Sequence, residues 1–316
     1  MAVGEFALPA NNPSGGGGTY STVLREYTTS GTWTKPTGLL FIEVACIGGG
    51  GGGGSGARQA TGVVSRAGSS GGTGGITLRT ILASDLGATE SYSVGAGGAG
   101  GAARTVDNSA TANGAVGGQT TFGSIAQANG GQVGNLGGNV PSTRSGTGYA
   151  DVVNRWIVTA NSDSRSDGGA GQSPTTESNG SAAWLSGFST GSGGGVTTAN
   201  VAGAGGSGSR YYNAIGLLNT AAAAGVAPGG AGGAGVNNYV NRSYSRTMLN
   251  AGASKFLGTG GGGGAAHATG VGGDGGAGGL YGGPGGGGGS SRNGFNSGKG
   301  GDGANGLIVI LEHIVS

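Results

Sequence analysis

Apolar positions are sparse along this chain and fall in a few short runs. Residues 40–47 (LFIEVACI) form a continuous apolar, largely β-branched run broken only by Glu43, the pattern of a buried strand. Residues 76–82 (ITLRTIL) alternate more clearly between apolar and polar, and 90–94 (ESYSV) and 120–126 (TTFGSIA) continue the series. Residues 23–33 supply one or two further strands ahead of a turn at Lys35 and Pro36. Beyond residue 130 such runs nearly vanish until 307–315 (LIVILEHIV), the most apolar segment of all. A strand that apolar has to be buried, and the only sizeable partner surface lies in the strands before residue 130. The pattern predicts a mainly β chain: a small β-sandwich scaffold from residues 21–130 and 306–316, with residues 131–305 inserted before its last strand.

Composition decides what the excursion can be. Glycine accounts for 85 of the 316 residues, with an unbroken run at 48–54 and a mostly glycine stretch from 258 to 306. Collagen is excluded, because the glycine triplet is not kept and there are only 7 prolines. Only 9% of residues are charged and the net charge is +2, too little to keep a disordered chain solvated, so the chain is expected to condense. Glycine has no Cβ, so extended three-residue-per-turn segments can lie at backbone contact distance and bond to neighbours in three directions. Residues 131–305 are accordingly expected to form a bundle of polyglycine II helices, irregular by ordinary criteria and with almost no α-helix. Ordering glycine carries the highest backbone entropy cost, so the bundle needs the scaffold to pin its ends.

Richer inserts interrupt the glycine runs and hold most of the remaining aromatic and charged residues. Residues 205–300 contain Arg210, Arg242, Arg246, Lys255, Arg292 and Lys299 against Asp274 alone, charges that read individually as solvating tips. Tyrosine, serine, asparagine, glycine and arginine dominate the inserts, a vocabulary that binds varied surfaces at low entropic cost. The recognition candidates are Tyr211, Tyr212, Tyr239, Arg242, Tyr244, Arg246, Tyr281 and Phe295, where rings and guanidinium groups adjoin within short segments. Trp156 is a weaker candidate, since Val152, Val153, Ile157 and Val158 around it suggest a small local core.

Catalytic and metal chemistry find little support. Glycine-rich GxGxxG matches carry no weight at this glycine frequency, and Lys299 is followed by Gly300 rather than by serine or threonine, so a phosphate-cradling loop of that type is absent. The stretch before Asp274 departs from a calcium-binding glycine repeat at Thr269, and no tandem copy follows. With two histidines, His267 and His313, a multi-histidine site is unavailable within one chain. Cys46, the only cysteine, lies in an apolar strand and reads as a buried thiol. No catalytic residue, metal or cofactor is assigned.

The order YTTSGTWTKP (27–36), an apolar strand running into 48–54, SYSVGAGGAG (91–100) and QTTFG (119–123) resembles the glycine-rich domain of bacteriophage tail fibres and receptor-binding adhesins. GGDGANG (300–306) before LIVIL (307–311) is similar to that domain's closing strand, so the likeness spans about 21–130 and 258–316. The resemblance implies a β-scaffold, a polyglycine II sandwich and variable tips that touch the host surface. Residues 6–10 (FALPA) read as an apolar plug on a flexible tether, so residues 1–20 are expected to dock to other tail proteins of the virion. The expected protein is a non-enzymatic adhesin, oligomeric in the virion, binding a host surface glycan or outer-membrane protein, without nucleic-acid binding or membrane insertion. With no signal peptide or membrane span in view, it is expected to be made in the host cytoplasm. Two alternatives stay open: a virion decoration or spacer protein, and an ice-binding polyglycine bundle.

Overall fold

In a computed structural model the described residues are 19–134, 191–208, 222–236 and 258–316, with the backbone of two short strands outside these ranges. The elements are β-strands: β1 Phe6–Ala7, β2 Tyr20–Tyr27, β3 Gly31–Thr34, β4 Leu39–Ile47, β5 Arg58–Gln59, β6 Ile76–Leu82, β7 Thr89–Ser93, β8 Thr120–Phe122, β9 Ala126–Ala128, β10 Gly148–Tyr149, β11 Ser291–Arg292 and β12 Leu307–Val315. One 3-10 turn, Ala83–Asp85, is the only helical element among the described residues.

The strands form two antiparallel sheets, ordered β1-β2-β12-β4-β6 and β10-β9-β8-β7-β3. The closing strand β12 lies at the centre of the first, with Ile310 opposite Arg25 on one side and Val44 on the other. Its pairing with β2 and β4 is what the burial argument requires. The sheets face one another across a cluster that includes Trp33, Ile42, Val44, Cys46, Ile81, Phe122, Ile308 and Ile310. Trp33 meets Phe122 edge-on at 5.7 Å, and its Nε1 donates a 2.6 Å hydrogen bond to the buried Glu312. Arg25 donates to the same carboxylate oxygen at 2.7 Å, which offsets the desolvation of that charge. Residues 120–126 make two strands rather than one, because Gly123 takes φ 54° and turns the chain between β8 and β9.

Six strands continue directly into glycine segments at one end of the sheets. β4 runs into 48–56, β7 into 95–101 and β9 into 129–134, while 68–75, 112–118 and 298–306 run into β6, β8 and β12. The segment 48–56 shows how they associate. Gly48, Gly51 and Gly54 donate to Gly75, Gly72 and Ser69; Gly49, Gly52 and Ser55 donate to Gly118, Ala115 and Ala112; Gly50, Gly53 and Gly56 donate to Ala304, Gly301 and Gly298. Donors three residues apart share a neighbour, so the N–H groups point in three directions in rotation. Three further neighbours donate back: Gly98 and Gly101, Gly131 and Gly134, and Gly285 and Gly288. The segment therefore has six neighbours.

The same bonding arranges the segments in three rows. The middle row runs 112–118, 48–56, 282–290, 258–266 and 222–226, with 129–134, 68–75, 191–195 and 203–208 along one side and 95–101, 298–305, 271–279 and 229–236 along the other. Segments from within 21–130 and from the later glycine stretch thus share one array. Sequence decides position within it. The enclosed segments 48–56, 258–266 and 282–290 are nearly pure glycine and every residue in them is buried. Segments of one outer row carry an exposed side chain at every third position: Ala96, Ala99 and Ala102; Asn296, Lys299, Asp302 and Asn305; Val271, Asp274, Ala277 and Leu280. Some of these turn back to satisfy outward N–H groups, Asp302 accepting from Gly100 at 2.8 Å, Asn305 from Gly97 at 2.9 Å and Asp274 from Lys299 at 2.8 Å.

A Cβ at an enclosed position would come within 3.0 Å of a carbonyl: Ala223 for Gly262 and Gly262 for Gly286. Gly262→Val and Gly286→Val are expected to lower the thermal midpoint by several degrees, each stranded buried group costing about 1–3 kcal/mol. Ala277→Val, on an exposed third position, is expected to leave it within about a degree, and thermal melts of the three variants check the contrast. Burial also pushes the Cys46 thiol up to about 12, so the native protein is expected to be inert to a thiol-specific disulfide reagent at pH 8 and to react on unfolding.

Candidate functional site

The array gives the molecule two poles. At the sheet pole Thr19 and Ser316 exchange backbone hydrogen bonds of 3.1 and 3.2 Å. At the far end the enclosed segments 48–56 and 282–290 emerge beside one another, and β5 and β11 pair in parallel with Ser291 opposite Arg58. Each segment presents an arginine as it leaves the array, and both arginines are buried.

Arg292 is only 3% exposed. Its Nε donates to Asn200 Oδ1 at 2.7 Å, one terminal nitrogen donates to the carbonyls of Ala60, at 2.8 Å, and Val63, and the other donates to the Thr197 carbonyl. Asn200 accepts from a left-handed backbone position, φ 65°, which asparagine tolerates better than most residues. Arg58 donates to the Thr105 carbonyl and to Asn296 Oδ1 at 3.3 Å and pairs with Asp107. Desolvation holds the Arg292 guanidinium below the usual arginine value. Asp107 is held below the usual aspartate value, first by the 2.9 Å hydrogen bond it accepts from the Gly294 amide and then by Arg58.

Small polar groups complete the network. Ser65 shares its hydroxyl between the carbonyls of Ala57 and Ser291, and Ser290 donates to the Ser65 carbonyl. Asn108 donates its amide to Asn293 Oδ1 at 3.0 Å, and Asn293 donates back to Asn108 Oδ1 at 2.9 Å. Four far-end loops, spanning 57–67, 102–111, 196–202 and 291–297, are thereby joined. Their exposed apolar residues are Val63, Val106, Val201 and Phe295, with Val226 and Val271 on two neighbouring loops at the same end. Tyr20, Leu40, Leu82 and Val315 are the exposed large apolar residues of the sheet pole.

Of the eight candidate residues, Tyr211, Tyr212, Tyr239, Arg242, Tyr244 and Arg246 lie outside the described residues. Tyr281 and Phe295 are not brought together. Phe295 is exposed at the far end, whereas Tyr281 is half-buried beside the sheets, its hydroxyl pKa raised by desolvation and then by the charge of Glu26. Arg292 differs from its reading as a solvating charge, because its donors are spent on loops far away in sequence. Arg58 and the exposed valines carry no local motif; the available signal was an arginine within four residues of the end of each of two glycine runs. Among the described residues no group of three or more histidine, cysteine, aspartate or glutamate residues could hold a metal ion, and no helix is long and apolar enough to cross a membrane.

A family model described as a glycine-rich domain matches residues 22–254. No curated protein matches the chain.

Because its folded pKa is depressed, Asp107 contributes its tethers above the ordinary carboxylate range and loses them as pH falls through its lowered folded value. The Gly294 amide resonance is expected to titrate with a midpoint below about 3.9, the ordinary aspartate value, and to lose that titration in Asp107→Asn.

Proposed function

The chain belongs to the glycine-rich domain family, and from that membership and the two-pole layout we propose that it is a phage tail or tail-fibre adhesin whose far-end loops bind a host surface receptor. In this reading the glycine segments are polyglycine II helices. The three-residue bonding rotation, the six neighbours of 48–56 and the solvent-facing side chain at every third position of one outer row support that assignment. A nine-residue segment then spans about 28 Å, which carries the far-end loops well clear of the sheets.

One observation carries the functional reading: Val63, Val106, Val201 and Phe295 are exposed on loops that are bonded to each other, at the pole opposite Thr19 and Ser316. In this reading these apolar side chains are the contact set, since loops already bonded to one another need little further ordering on binding. The adhesin performs no catalysis, belongs to the virion and is carried at its sheet pole, where residues 1–20 join the tail. A glycan or an outer-membrane protein supplies the receptor surface. The exposed apolar residues of the sheet pole favour a second reading, a spacer packed between virion subunits at both ends.

Competition for adsorption separates the two. Purified protein is expected to block adsorption of the virion that carries it, and Val63→Ser, Val201→Ser and Phe295→Ser together are expected to weaken the block at least roughly tenfold, while Tyr281→Ser retains it. Absence of a block would hand the function to the spacer reading, and an undiminished block by the triple variant would remove these far-end residues from the receptor site.

A further inference from the structure

The far-end loops hold together without using the side chains that would face a partner. Arg292 serves three backbone carbonyls and one side chain, drawn from the loop 57–67 and the loop 196–202. Arg58 serves the loop 102–111 through the Thr105 carbonyl and Asp107, and reaches Asn296 in its neighbour. A backbone carbonyl is present whatever residue bears it, and a guanidinium offers a fixed fork of donors that one ammonium cannot match. Both arginines lie two residues past an enclosed glycine segment, on the paired strands β5 and β11, so their stems start from hydrogen-bonded backbone.

We propose that Arg58 and Arg292 are positioning residues that fix the far-end loops, Arg292 mostly through sequence-independent backbone carbonyls, leaving Val63, Val106, Val201 and Phe295 free to determine which partner is bound. The order of the tip and its specificity are then carried by different residues. Substituting the exposed set changes what the tip recognises and leaves its backbone in place. Substituting Arg292 leaves the exposed side chains in place and lets the loops that carry them separate. The binding consequence rests on the adhesin reading; the ordering consequence does not.

Amide hydrogen exchange on the full chain tests the ordering directly. The reporters are Ser65 and Val196, which bond each other at 2.9 Å, and Asn200, which donates to the Thr197 carbonyl at 3.0 Å. The amides of Gly53 and Gly286, which donate to Gly301 and Gly276, serve as internal references within the array. In Arg292→Ala the reporters are expected to exchange at least roughly tenfold faster while the references are unchanged, the loss of one buried bonding group being enough for that factor. The triple variant Val63→Ser, Val201→Ser, Phe295→Ser is expected to keep wild-type exchange at every reporter. Unchanged reporters in Arg292→Ala, or reporters loosened as much by the triple variant, would overturn the proposal. If Arg292→Ala fails to fold, Arg292→Lys replaces it: loosened reporters support the proposal and wild-type protection refutes it. Adsorption competition run beside the exchange measurement separates the readings: wild-type protein that fails to block adsorption defeats the adhesin assignment, while loosened reporters in Arg292→Ala leave the positioning role standing.

Discussion

The closest approach between neighbouring backbones governs this molecule. In the enclosed segments, N–H groups meet carbonyls on every side, and the carbonyl of one segment occupies the place where the Cβ of the next would stand. Glycine is the one residue compatible with that spacing along a whole segment, which is why the enclosed segments are nearly pure glycine. The rest follows from it. Outer segments can spend one position in three on another residue because one direction in three faces solvent, and charged or amide side chains there can fold back onto outward N–H groups, as Asp302 and Asn305 do. Protected outward donors also deny another chain a template, as charged residues do on the edges of sheets.

The sheets supply what the glycine array lacks. Ordering so many glycines carries a large entropy cost, and the array buries few apolar side chains to offset it. Trp33, Phe122, Ile42, Ile308 and Ile310 provide a conventional core beside it, and six strands pass their alignment straight into six glycine segments. The strand β12 completes this arrangement from the opposite end of the sequence, between β2 and β4. Contacts of such long sequence separation delay the gain from closure until most of the chain is gathered, so folding is expected to be slow for a chain of this length.

Apolar runs made the sheets legible in the sequence. Residues 40–47, 76–82 and 307–315 became strands, and Trp33 and Phe122 became core, because local apolar content and period reflect burial. A single strand was expected over 120–126, where Gly123 instead permits a turn between two strands. The difference between unbroken glycine and glycine interrupted at every third position was also present, and it separates enclosed from outer segments. The candidate site was harder to see. Arg292 finds its acceptors at residues 60, 63, 197 and 200, and no local pattern signals contacts that distant in sequence. Tyr281 and Phe295 are close in sequence, yet the glycine segment between them places them at its opposite ends.

The three-way bonding of the glycine segments has a calorimetric consequence. Unfolding of ordinary domains raises the heat capacity because it exposes apolar surface, whereas newly exposed polar surface lowers it. In this array the surface hidden is mostly backbone amide, so the part of the molecule that holds the far-end loops contributes little to, or subtracts from, the heat-capacity change of the whole. A small heat-capacity change flattens the curve of stability against temperature. The loops at the far end are thus carried by a support whose order depends weakly on temperature, a property that comes from replacing an oily interior with a lattice of hydrogen bonds.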